Sequence, residues 1–314
     1  MTMRIGIIGA GAIGGFCGLL LARAGHDVHF VVRGDFQTVS QQGLRLISRE
    51  QGAIALHPVN VYSDIQSLQP CDWLIVACKA TANEQLAPQL ASALAPGGKV
   101  LLLQNGLGGE AILRRHLPYA AHLLGGVCSI SAHRCAPGVI EHLGLSKIAV
   151  GYHSGPAWSN PRSITRDTVA LLLEAGLEAS ASPSLAASRW RKLVVNIPFS
   201  GLTTLLRCGT KALIQNPATR ELATTLMQEV AAGAARCGHE LEPDLVAQIL
   251  EAHAQGQDYQ SSMSLDYLAK RPLELEAIYQ APLAAAHQQG FDMPSVRTLY
   301  EMLTFLDSRN RLDP

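Results

Sequence analysis

The stretch RIGIIGAGAIGG, residues 4–15, limits what this chain can fold into more than any other part of it. An apolar run ends in Gly9, Gly11 and Gly14, spaced G-x-G-x-x-G, and AIGGFCGLLLARAG then reads as a helix stopping at Gly25. A glycine turn between a strand and a helix is the context in which this spacing binds a dinucleotide. The first glycine permits the tight turn, the second lets backbone approach a pyrophosphate, and the third lets helix pack on strand. Free N–H groups at the helix start point at the phosphates. Gly9, Ala10, Gly11, Ala12, Ile13 and Gly14 are therefore the expected cofactor-binding turn. The same stretch could be read as a signal peptide or membrane span, since residues 5–22 are wholly apolar or small and follow Arg4. Six glycines in that span weaken a membrane helix, and the ordered glycines favour the turn.

Further strands follow. HDVHFVVR, DWLIVACKA and KVLLLQNG are continuous apolar runs, which implies burial on both faces of a parallel sheet. Strands alternating with helices give an α/β doubly wound, Rossmann-type domain. Residues 120–151 have β character, with Pro137-Gly138 as a turn, and SITRDTVALLLEAG reads as a capped helix ending at Gly176. From Ser184 onward only helical patterns occur: 185–206, 217–237, 243–255, a long segment through 262–289, and 294–308. The expected organisation is an NADP-binding Rossmann domain over 1–182 and an all-α substrate and catalytic domain over 183–314.

Composition removes several function classes. Lys and Arg total 25, as do Asp and Glu, which argues against nucleic acid or an anionic membrane as partner. The seven cysteines include no C-x-x-C pair and no associated histidine cluster. That argues against a zinc site or a disulfide framework and fits reduced thiols in a cytoplasmic protein, with no metal expected.

The second strand ends in VVRGD. An NAD site usually places an acid there for the ribose hydroxyls. Arg33 takes that place, and a cation suits a 2′-phosphate, so NADP(H) is the expected cofactor. Asp35 follows closely and counts the other way. Lys79 and Asn105 end two further strands, at the carboxyl edge where open α/β sheets bind ligands.

Polar residues also mark one of the helices. In RWRKLVVNIPFSGLTTLL, Lys192, Asn196, Ser200 and Thr203 fall within a stripe of about 80°. Trp190, Val194, Val195 and Ile197 point in other directions, so the helix reads as buried, with its stripe facing a cleft. A buried lysine needs an anion. The distant SSMSLDYLAKRPLELEAIY, residues 261–279, offers Glu274 and Glu276. A lysine tuned by burial and a carboxylate is proton-donating machinery for carbonyl reduction.

These motifs resemble the ketopantoate reductase (2-dehydropantoate 2-reductase) family over nearly the whole chain, through GIIGAGAIGG, VVRGD, VACKA, LQNGLGGE, APGVIEHLG, WRKLVVN and SSMSLD…KRPLELE. The resemblance implies a Rossmann domain joined to a helical domain like that of 6-phosphogluconate dehydrogenase. It implies NADPH-dependent reduction of ketopantoate to pantoate, on the route to pantothenate and coenzyme A. It makes Lys192 the proton donor, and Asn105, Asn196, Ser200, Ser262 and Glu274 substrate-binding residues. Arg33, Lys79, Asn105 and Glu274 join the glycine turn around the cofactor. The chain departs from the family pattern at Pro198, Ser200, Gly201, Tyr259, Leu273 and Tyr279-Gln280. These departures keep the acid machinery and alter the expected pocket wall. They motivate a rival reading, a related dehydrogenase of another small hydroxy or keto acid. A non-catalytic NADP-binding protein is a third. Assembly is left open, a homodimer included.

Overall fold

The computed structural model describes residues 2–312. The chain divides into two compact units. One takes in the described residues up to Gln104 and then Gly109–Leu185; the other takes in Asn105–Gly108 and the chain from Ala186 onward. An α/β unit with a largely parallel sheet is thus followed by an all-helical one. The tetrapeptide Asn105–Gly108 lies within the expected Rossmann segment by position but packs with the helices.

The first unit runs β1 (Arg4–Ile8), α1 (Ala12–Arg23), β2 (Asp27–Val31), α2 (Phe36–Gln42), β3 (Leu44–Ser48), β4 (Gly52–Leu56) and β5 (Asn60–Tyr62). It continues with β6 (Cys71–Val76), α3 (Asn83–Leu90), β7 (Leu94–Leu102), α4 (Gly109–Arg114), β8 (His122–Ala136), β9 (Val139–Ser154), α5 (Arg162–Glu174) and β10 (Glu178–Ala181). The sheet order is β4-β3-β9-β8-β7-β6-β1-β2-β5, with β10 also on β9. All pairings are parallel except β3 with β4 and β8 with β9. The β8–β9 hairpin turns at Pro137-Gly138, where Gly138 takes φ +71°.

The flat hydrophobicity of the central strands has a direct cause. Ile5, Ile7, Trp73, Ile75 and Leu101 join one apolar cluster, with Phe16, Leu19 and Leu20 of α1. Ile8, Leu74, Val76, Val100 and Leu102 join a second, with Leu86, Ala87 and Leu90 of α3. Successive residues alternate between faces, and both faces are covered.

The second unit comprises α6 (Leu185–Leu206, from Ala186), α7 (Thr210–Gln215), α8 (Pro217–Arg236), α9 (Leu245–Gln255), α10 (Ser262–Leu268), α11 (Ala281–Gln288) and α12 (Pro294–Leu312). Its core gathers Trp190, Leu193, Val194 and Ile197 of α6 with residues of the other helices. Asn216 caps α8, its side chain accepting from the Ala218 and Thr219 N–H groups, with Pro217 at the first helical position.

Two sequence expectations are corrected. Helix α5 starts at Arg162 with Pro161 as its cap residue and no side-chain cap bond. The expected helix over 262–289 is broken between Leu268 and Leu275. Lys270 takes φ +53°, and Pro272 disfavours helix at the residue before it. The backbone there is still held: the Leu273 N–H donates to Asp307 Oδ1 at 3.1 Å, and the Arg271 N–H donates to the Asp266 carbonyl at 2.9 Å. A π-helical turn, Glu276–Gln280, then leads into α11. Among the described residues no helix is long and apolar enough to cross a membrane, and no group of three or more His, Cys, Asp or Glu could hold a metal.

Ile75 is fully buried between α1 and its neighbouring strands. Ile75→Ala should destabilise the first unit by about 2–5 kcal/mol, read as a lowered urea midpoint with the helical content retained.

Candidate active site

The glycine turn of the first unit has the geometry of a phosphate cradle. Gly9 takes φ +97°, and a Cβ there would meet the Cys78 backbone at 2.8 Å. A Cβ on Gly14 would lie 2.0 Å from the Gly9 carbonyl oxygen. Over Gly11, by contrast, a Cβ would find nothing within 4 Å. Backbone is packed tightly beneath the turn and open space lies above its middle. Ala10, Ala12 and Ile13 are half-buried, and α1 begins with no side-chain cap and no acid in its first turn. Its first N–H groups and positive dipole end suit a pyrophosphate. These residues fit a dinucleotide.

Arg33 is exposed beyond β2 and donates from Nη1 to Gln85 Oε1 at 3.2 Å. Asp35, at the start of α2, pairs with Arg134. Lys79 is exposed beyond β6, at the start of a short 3-10 turn. Beneath this edge Asn83 and Gln104 exchange reciprocal amide hydrogen bonds of 2.8 and 2.7 Å, both buried. Gln85 and Arg134 escaped the sequence reading, because they lie 52 and 99 residues from the groups they contact.

In the second unit the polar stripe of α6 is open at one end only. Lys192 and Asn196 are half-buried, while Ser200 and Thr203 are buried. Thr203 Oγ1 bonds the Phe199 carbonyl and Ser261 Oγ, each at 2.7 Å. Ser261, not Ser262, caps α10 by accepting from the Ser264 N–H at 3.1 Å; Ser262 is exposed at the first helical position. Glu274 is buried, whereas Glu276 is exposed. The loop carrying Asn105 is pinned beside them: the Leu107 N–H donates to the Ala277 carbonyl at 2.9 Å, and Arg189 Nη1 donates to the Gly106 carbonyl at 3.4 Å. Gly106 takes φ +88°, and a Cβ there would lie 2.3 Å from the Ala277 oxygen. Asn105, Lys192, Asn196 and Glu274 are thus carried on segments of one unit.

His253 borders this face. Its ring stacks on Phe199 at 3.9 Å between centroids. Nδ1 lies 2.8 Å from the Ile249 carbonyl and so carries the proton, which leaves Nε2 to accept from the Tyr259 hydroxyl at 3.2 Å. Burial lowers the His253 pKa, and the nearby Lys192 cation lowers it further, against the hydrogen bond to Ile249. The ring is therefore neutral at pH 7.

Residues 5–155 match the family described as ketopantoate reductase PanE/ApbA, and residues 184–307 match its C-terminal domain. The chain belongs to the ketopantoate reductase family. It is similar to a 2-dehydropantoate 2-reductase of Nostoc sp. (strain PCC 7120), 36% identical over 98% of this chain and 96% of that one. The crystal structure of 2-dehydropantoate 2-reductase from Geobacter metallireducens GS-15 has a TM-score of 0.88 at 33% identity, covering 98% of this chain and 99% of that one. A D-mandelate dehydrogenase in ternary complex with NADH and anilino(oxo)acetate shares the fold, with a TM-score of 0.89, 22% identity and coverage of 98% and 99%. The protein is an oxidoreductase of the ketopantoate reductase family, which uses a nicotinamide cofactor.

Against the family pattern, the departures at Gly201 and Tyr279 prove to be one packed unit. Tyr279 is fully buried in the helical core and is no part of an exposed pocket wall. Its hydroxyl donates to the Ile197 carbonyl at 2.9 Å and is hydrogen-bonded by the Gly201 backbone. Ile197 and Gly201 are the carbonyl and N–H of one regular helical step, so the phenol enters the ladder of α6. A Cβ on Gly201 would sit 2.8 Å from that hydroxyl, which explains the glycine. Pro198 lacks the N–H that would serve the Val194 carbonyl, so the two irregularities flank Asn196. Tyr259, in contrast, is 46% exposed.

Tyr279→Phe keeps the ring and removes the bridge. It should cost about 1–3 kcal/mol, measured by chemical denaturation. His253 also makes stability depend on pH. Its folded pKa lies below the ordinary 6.5. Protons therefore favour the unfolded chain first, and stability should fall as pH drops below about 6.5. His253→Gln should flatten that part of the stability curve against pH.

Proposed function

We propose that this protein is an NADPH-dependent reductase of a small 2-keto acid, most simply 2-dehydropantoate, giving pantoate. The observation that carries the reading is the half-open stripe on α6. Lys192 and Asn196 stay accessible on a helix that buries Trp190, Leu193, Val194 and Ile197, in a chain of this family.

NADPH, which the glycine turn would hold by its pyrophosphate, would supply a hydride to the carbonyl carbon. The residues do the rest. Lys192 hands a proton to the carbonyl oxygen as negative charge develops on it. Its position beside neutral His253 adds no second cation to the face. Asn196, one turn along the helix, orients the substrate. Glu274, Asn105 and Ser262 hold its hydroxyl and carboxylate ends, with Ser200 behind them. Arg33 and Lys79 take the phosphate and ribose of NADP(H).

A second reading, reduction of a different 2-keto acid, rests on Tyr259. This half-exposed aromatic stands where the family pattern has an asparagine and gives its hydroxyl to His253. A bulkier or more apolar side chain would find a surface there.

Spectrophotometric NADPH oxidation with 2-dehydropantoate, set against a panel of 2-keto acids, decides between them. Lys192→Ala should lower kcat by about 10²–10⁴-fold while NADPH fluorescence titration shows binding largely intact. Wild-type turnover in that variant would refute the assignment of the proton donor.

A further inference from the structure

Of the two charged groups that follow β2, the acid is already occupied. Asp35 stands in the capping position of α2, yet its carboxylate makes no bond to the helix backbone. It forms an ion pair with Nη1 of Arg134 on β8. The Asp35 side chain is only 16% exposed, and Arg134 covers it from a strand far away in sequence. Arg33 is held apart from this pair, through Gln85 of α3.

The pairing bears on which dinucleotide the site selects. In this fold an acid after the second strand accepts hydrogen bonds from the adenosine ribose hydroxyls, which selects NAD. Such an acid needs open acceptor positions. It also repels a phosphate on the ribose, as like charges do. Asp35 is the residue that would play this part here, two positions beyond Arg33. Arg134 removes both effects. Its guanidinium donates into the carboxylate, a charge-assisted bond that uses up acceptor capacity. Its charge cancels that of Asp35, so the rim holds two arginines against one carboxylate and keeps a net positive charge.

We infer that Arg134 determines the choice of cofactor: by neutralising and engaging Asp35, it turns a rim that could bind an unmodified ribose into one that selects a ribose phosphate. The inference rests on the reading of the glycine turn as a dinucleotide site. It is distinct from the role given to Arg33, which contacts the phosphate itself.

The test is binding, independent of turnover. Isothermal titration calorimetry of the full chain with NADP+ and with NAD+ gives the affinity ratio for wild type, Arg134→Met, Asp35→Asn and the double variant, with thermal unfolding checking that each is folded. Wild type should favour NADP+. Arg134→Met should cut that preference by roughly tenfold or more, the scale of one charge-assisted contact. Part of the change should be a gain in NAD+ affinity. Adding Asp35→Asn to it should abolish that gain. A mere tether between β8 and α2 would instead weaken both nucleotides alike, and an unchanged ratio in Arg134→Met would overturn the proposal. Should Arg134→Met not fold, Asp35→Asn alone decides. It should hold or raise the preference for NADP+, and a fall would overturn the proposal. Wild type that binds neither nucleotide would instead remove the dinucleotide reading itself.

Discussion

Helix α6 buries Trp190, Leu193, Val194, Ile197 and Phe199 at 2% exposure or less, so each polar group on it must find a partner or reach accessible space. That requirement organises the second unit. Thr203 turns to Ser261 and its own backbone, and Thr204 to the Ser200 carbonyl. The step from Ile197 to Gly201 takes in the Tyr279 phenol. Lys192 and Asn196 alone of the stripe keep contact with the surface. The chemistry assigned to the helix lies at the end where burial is relaxed.

The first unit meets a different constraint, the approach of one backbone to another. The turn after β1 is pressed against Cys78, and the start of α1 against Gly9, at distances that leave no room for a side chain. Above Gly11 the turn presents open backbone, with N–H groups as its chemistry. Charge is supplied from the strand ends around it, where Arg33, Lys79 and the Asp35–Arg134 pair stand.

Much that depends on neighbouring residues was legible in the sequence, although the capped start expected for α5 was not found. The glycine turn, the two-faced strands and the stripe on α6 each follow from spacing within a few residues. Contacts made across long separations were not. Nothing near Arg33 points to Gln85, and nothing near Asp35 points to Arg134. Tyr279 stood out as a departure from the family pattern, but spacing could not say that its hydroxyl lies inside another helix. The break after Leu268 was half visible, since Pro272 argues against a continuous helix, while the apolar residues on either side kept the periodicity going. The strands β3, β4, β5 and β10 have three to five residues each and include exposed positions, so they lack the continuous buried run that marks β1 and β2.

The tetrapeptide Asn105–Gly108 gives this chain an unusual genetic topology. The helical unit is not one continuous stretch of coding sequence, because four of its residues are written among those of the sheet. A fragment beginning at Ala186 would leave the Ala277 carbonyl without the Leu107 N–H, and Arg189 without the Gly106 carbonyl. A single crossover near residue 185 between two relatives would graft one parent's loop onto the other parent's helices. Exchange of these domains as modules therefore parts the helices from the loop they pack with unless the small insert travels too, which ties the inheritance of the two halves together.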